Sequence, residues 1–198
     1  MSNPQFNKIL QPYLILSDRG LLWSRLHQDL QHFGFDRVFY GGVQRRPANG
    51  EFTPRDVDVT SSYGSEFDRF FVDDGGFLSD VTTQWAIHSQ GAMSWGATRR
   101  LCAKGQMTAR QQTVHERSRA LNILNGYTVS LRSDGRSLVS GFGLCAERKC
   151  TQGKIDSIWQ SQSDQIAAVL TAYDICVRAL PSFPAQEELS KRQCEVLE

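Results

Sequence analysis

Long apolar runs, metal-binding patterns and nucleotide-binding signatures are all missing from this 198-residue sequence. No stretch approaches the roughly 18 consecutive apolar residues that a membrane span requires. The short apolar stretch Tyr13–Leu16 falls short of a signal-peptide core, so no membrane is expected among the partners. The five cysteines (Cys102, Cys145, Cys150, Cys176 and Cys194) are odd in number and form no CxxC pair. That speaks against a disulfide scaffold and fits a reducing, cytoplasmic setting, with each thiol read as a small packed hydrophobe or a loop residue. The four histidines, His27, His32, His88 and His115, lack HxxxH spacing and sit beside no zinc-like cysteine or carboxylate pattern, so neither a metal nor a cofactor is expected. GxSxG, P-loop and GxGxxG motifs are absent, and the glycine-containing run 135–143 reads as a hairpin, not a phosphate cradle. Enzymatic readings therefore have no motif to stand on. Charge of one sign is also lacking: a formal net charge of +1 leaves no whole-chain basic footprint and no acidic tail.

What is present is an ordinary globular composition, 40% hydrophobic and 22% charged, in a chain long enough for one full domain. Residues 17–32 predict an amphipathic helix, with Leu21, Leu22, Leu26 and Leu30 at helical spacing, Ser17 or Asp18 as cap and Gly34 as stop. Residues 35–40 and 57–62 predict strands, separated by a polar loop containing Pro47, Asn49-Gly50 and Pro54. Residues 63–89 predict two short helices split at Gly75-Gly76, and 106–124 a longer one. Strands at 127–131 and 138–144 are joined by the turn signal Ser133-Asp134-Gly135. A last helix spans 164–180 and ends at Pro181 and Pro184. This order describes an α/β fold: an α-β-α sandwich around a central, mainly antiparallel sheet, as in GAF- or PAS-like sensor domains. The domain is expected over 1–181, a linker over 182–188, and the first turns of a further element over 189–198.

Two stretches carry a family resemblance. In the first, Tyr63-Gly64-Ser65-Glu66-Phe67 is followed by Asp80 thirteen residues after Phe67 and by Trp95 fifteen residues after Asp80. The second is the tail Leu189-Ser190-Lys191-Arg192-Gln193-Cys194-Glu195-Val196-Leu197-Glu198. The first resembles the Tyr-Pro-x-x-Trp, Asp-Pro and Trp spacing of the autoinducer-binding domain of LuxR-type quorum-sensing regulators. The second is similar to the opening of that family's helix-turn-helix domain. Gly34-Phe35-Asp36 and Gly126 also fall where the family has similar residues. Three departures stand out: Phe67 replaces the family's Trp, Gly64 its Pro, and Val81 the Pro after the Asp.

The resemblance implies a transcription regulator's signal-binding domain that catalyses nothing, binds an acyl-homoserine lactone or related signal, and acts as a homodimer. It places contact with DNA in a C-terminal domain beyond this chain. It also assigns site residues. Asp80 would accept the ligand's amide N–H, with Thr82 assisting, and Tyr63 would donate to the acyl carbonyl. Read without it, Asp80 is a helix N-cap and Tyr63 a core residue. Phe67, standing where the family has an indole donor, puts the head group in question. Trp85 and Trp95 are read as aromatic walls or as core. Phe39, Gly41, Phe71, Leu138, Ser140 and Phe142 are candidates for the tail pocket, the last three sharing one strand face by the period of two. The helix at 164–180 carries Ile166, Val169, Leu170, Tyr173, Val177 and Leu180, more apolar residues than one-sided packing needs. That makes it the expected dimer element, the alternative being that all of them pack on the sheet. The competing functional readings are a sensor responding to a non-lactone ligand, or one working through protein contacts alone.

Overall fold

The structure is a computed structural model and describes residues 4–43, 57–132 and 139–180. Five strands form one antiparallel sheet in the order β2-β1-β5-β4-β3: β1 Phe35–Val43, β2 Val57–Ser61, β3 Gly91–Ser94, β4 Gly126–Arg132 and β5 Val139–Ala146. Helices α1 (Pro4–Leu14), α2 (Arg19–Gln31) and α7 (Gln152–Ala179) cover one face. On the other lie α3 (Ser65–Asp68), which continues as a π-helical turn to Asp73, a 3-10 turn at Gly76–Ser79, α4 (Val81–His88), α5 (Trp95–Ala103) and α6 (Ala109–Ala120). This is the expected α-β-α sandwich. Among the described residues no helix is long and apolar enough to cross a membrane.

The α7 face holds the larger core. Leu22, Leu26 and Leu30 recur every fourth residue along α2 and are fully buried, whereas Leu21 is exposed. Asp18 caps that helix by accepting from the Leu21 amide at 2.9 Å. Each fully buried leucine contributes about 1.5–3 kcal/mol. On β1 the buried side changes parity, with Phe35 facing the same core as Val38 and Tyr40, because the pairing with β5 shifts register between Phe35 and Arg37. The offset leaves Phe39 and Gly41 on the opposite face.

Helix α7 runs 28 residues, twelve more at its start than its apolar periodicity suggests. Its entry is pinned to β4 through Gln152, whose side chain accepts from the Gly126 amide and donates to the Gly126 carbonyl, both at 3.0 Å. Gly126 has no room for a side chain, since a Cβ there would lie 2.0 Å from the Leu144 carbonyl oxygen. The apolar residues of α7 follow the alternative of packing on the chain's own core and not the expectation of an outward dimer face. Ile166, Val169, Leu170, Tyr173 and Val177 are all buried within the chain's own core, against the sheet and α1–α2. The large apolar side chain left exposed on α7 is Ile175. The loop around Pro47 to Pro54, the turn at 133–135, Leu138, the linker at 182–188 and the helix-turn-helix-like segment at 189–198 lie outside the described residues.

Candidate signal-binding cavity

The second face of the sheet is not packed solid. Between β1, β4 and β5 and the helices α3–α6 lies a cavity of about 170 Å³. Small residues on the sheet make the space. On β5, Phe142 and Leu144 point toward α7, which turns Gly141 and Gly143 to the cavity.

Aromatic side chains form one wall. Phe67 is its centre, stacked on Phe71 at 4.6 Å between centroids and edge-on to Tyr63 at 4.8 Å and Phe39 at 6.1 Å. Trp95 lines the cavity from the start of α5, but its indole N–H is already committed, donating to Thr128 Oγ1 at 2.9 Å. It therefore presents a ring surface and not a donor.

Two polar groups stand out against this apolar lining. The Tyr63 hydroxyl is buried above Gly143 with no hydrogen-bond partner. Burial holds the phenol well above its ordinary pKa, so it stays a donor. Asp80 sits between the 3-10 turn and α4. Its Oδ2 accepts from the Thr83 amide at 2.7 Å, the Thr82 hydroxyl at 2.5 Å and the Thr83 hydroxyl at 3.0 Å. The N-cap reading of Asp80 therefore holds. Nothing among the described residues donates to Oδ1 of this cavity-lining side chain, so one acceptor remains for a ligand.

Of the residues singled out in the sequence, Tyr63, Phe67, Asp80, Thr82 and Trp95 meet at the cavity, together with Phe39, Gly41 and Phe71. Three do not. Trp85 falls on another side of α4: Thr82, Thr83, Ala86 and Ile87 share the cavity-facing side, and Trp85 is rotated away from it by the helical repeat. Ser140 and the Phe142 ring face α7. The Phe142 ring lies 5.0 Å from Tyr40, and the Ser140 hydroxyl bonds with Asp174 and Arg178. Phe142 is nonetheless among the residues that border the cavity. Ser140 and Phe142 share the strand face that packs toward α7.

Sequence reasoning missed Thr98 on α5 and His115 and Ser118 on α6, all of which line the cavity. The Thr98 hydroxyl is buried without a partner. Burial lowers the His115 pKa below the usual 6.5, which keeps the ring neutral at pH 7. His115 and Ser118 are three residues apart on one helix face, a spacing visible in the sequence but meaningless until α6 is known to roof a cavity.

Residues 18–173 match the family described as the autoinducer binding domain. Among solved structures, the N-acylhomoserine lactone-dependent LuxR-family transcription factor CepR2 of Burkholderia cenocepacia superposes with a TM-score of 0.66 at 11% identity, covering 88% of this chain and 94% of that one. Escherichia coli SdiA gives 0.62 at 15% identity, covering 97% and 75%. SdiA in complex with octanoyl-rac-glycerol gives 0.62 at 14% identity, covering 100% and 77%. Among curated protein sequences none matches significantly. The structural likenesses establish the fold, and the match over 18–173 establishes the lineage: this chain belongs to the autoinducer-binding domain family, the signal-sensing and non-catalytic module of LuxR-type regulators.

Proposed function

We propose that the cavity binds a small acyl signal, an acyl-homoserine lactone or a relative of one, and that its occupancy controls DNA binding by a helix-turn-helix domain C-terminal to residue 188. The observation that carries this reading is the pairing of one free acceptor, Asp80 Oδ1, with one unpartnered donor, Tyr63 Oη, in an otherwise largely apolar cavity. A secondary amide presents the complement of that pair, an N–H for the carboxylate and a carbonyl for the phenol. Aromatic and aliphatic side chains are suited to an acyl chain. At about 170 Å³ the cavity favours a short chain over a long one. The known ligands of similar folds fit the same logic, with CepR2 lactone-dependent and SdiA holding an octanoyl glycerol. The domain boundaries near 181 and 188, and the pairing of two chains, belong to the same reading and rest on the family resemblance.

The test is a thermal-shift panel of acyl-homoserine lactones and acyl glycerols of graded chain length, run beside mass spectrometry of any small molecule that co-purifies. At least one acyl compound is expected to raise the melting temperature, with shorter chains ahead of longer ones. No shift with any acyl compound, and no acyl compound co-purifying, would overturn the proposal in favour of a sensor that acts through protein contacts.

A further inference from the structure

We infer that Thr98, His115 and Ser118 form a head-group subsite for a neutral, hydroxyl-bearing head, and that this subsite discriminates against a head that only accepts hydrogen bonds, such as a lactone ring. The inference rests on the reading that the cavity holds an acyl signal at Asp80 and Tyr63, and it specifies what lies beyond the amide.

Three observations converge on it. Thr98 is 6% exposed, and its hydroxyl is buried at the cavity without a partner. A helical threonine ordinarily satisfies its hydroxyl on the carbonyl one turn back, as Thr113 and Thr171 do here. An unsatisfied buried hydroxyl is costly unless a ligand completes it. The same cavity is lined by Ser118, a donor and acceptor, and by a neutral His115 ring, which carries one donor and one acceptor nitrogen. The three side chains together offer more acceptor positions than donors. A lactone would engage only the donors, leaving the acceptors facing it unmatched.

The other two observations are exclusions. The indole donor expected for a lactone carbonyl is missing: Phe67 has no polar hydrogen, and the Trp95 N–H is held by Thr128. No lysine or arginine borders the cavity among the described residues, and Asp80 does, so an anionic head would meet a carboxylate and no counter-charge. A neutral head with hydroxyls satisfies both exclusions and matches all three side chains.

A matched pair of probes tests this: N-hexanoyl homoserine lactone and N-(2,3-dihydroxypropyl)hexanamide. They share tail and amide and differ only in the head. Calorimetric titration of the full 198-residue chain is expected to show the diol amide binding about tenfold tighter, the effect of one additional matched hydrogen bond. Thr98→Val and Ser118→Ala should each weaken the diol amide by roughly three- to tenfold and weaken the lactone by less, since the lactone loses a donor alone and the diol amide a donor and an acceptor. Thr98→Val should also hold or raise the melting temperature of the ligand-free protein, because it removes a buried hydroxyl that nothing satisfies. A lowered melting temperature would place that hydroxyl inside the fold's own bonding and overturn the inference. So would a lactone that binds as tightly as the diol amide, or variants that bind both probes as the parent does. If the lactone wins and still depends on Asp80, the acyl-signal reading stands and the subsite alone falls. If neither probe binds, both fall.

Discussion

Asp80 caps a helix and, in the proposed function, also holds the ligand; its variants separate the two roles. Oδ2 caps α4 through the Thr83 amide at 2.7 Å, while Oδ1 is the acceptor left for a ligand. Asp80→Ala removes both. Loss of the cap costs about 1 kcal/mol, roughly 2–4 °C in melting temperature for a domain of this size. Asp80→Ser keeps a capping oxygen of nearly equal quality and deletes the second oxygen. Its ligand-free stability should therefore stay near that of the parent. Its affinity for any acyl amide that binds the parent should fall by the value of a hydrogen bond to a charged acceptor, about 1.5–3 kcal/mol, or roughly 10- to 150-fold. Asp80→Asn sharpens the comparison: if its oxygen stays on the Thr83 amide, its NH₂ faces the ligand's N–H, donor against donor. Calorimetric titration reads the affinity, and thermal unfolding without ligand reads the cap. An Asp80→Ser protein with parental affinity, beside a destabilised Asp80→Ala, would reduce Asp80 to a helix cap and refute its role in binding.

Gly143→Ala puts a Cβ 2.9 Å from the Tyr63 hydroxyl, so the phenol must move; affinity for an acyl probe should drop by about three- to tenfold, the value of one neutral hydrogen bond, with little change in circular dichroism. Acidification should destabilise the domain. Burial holds His27 and His115 below 6.5, so between that value and their folded pKa values the unfolded chain binds protons the folded one does not. The melting temperature should therefore fall as pH drops below about 6.5, and less so in a His27→Gln/His115→Gln double variant; a rise on acidification would contradict the burial argument. Val169→Asp, at a site only 4% exposed, buries an unpaired charge at a penalty of several kcal/mol and should abolish cooperative unfolding. A folded Val169→Asp monomer derived from a parental dimer would instead restore α7 as an interface.

How far the sequence reached follows from what periodicity can and cannot carry. The strands predicted at 35–40, 57–62, 127–131 and 138–144 announced themselves through β-branched and aromatic content between turn signals, and the leucines of α2 through helical spacing. Helices α1 and α5, strand β3 and the first half of α7 did not. Strand β3 is four residues long and opens on Gly91 at a φ of 101°. The segment from Gln152 to Ser163 dilutes Ile155, Ile158 and Trp159 among serines, glutamines and a glycine, and tertiary contacts hold it instead, through the Gln152–Gly126 bonds and the stack of Trp159 on Tyr127 at 4.4 Å. The site divides along the same line. Tyr63, Phe67, Asp80 and Trp95 were legible because their mutual spacing resembles that of a known family; without the resemblance Asp80 reads as a cap and Tyr63 as core. Alternation grouped Ser140 with Phe142 but is symmetric between the two faces of a sheet. What breaks the symmetry is the cover each face receives, and for these two that cover is Tyr40, Tyr173, Asp174 and Arg178. The residues that open the cavity from the sheet, Gly141 and Gly143, reach a sequence reading only as missing side chains. A binding site is partly a space. Side chains that border it can be inferred from their chemistry, whereas the space needs the positions of both walls, which only the folded chain supplies.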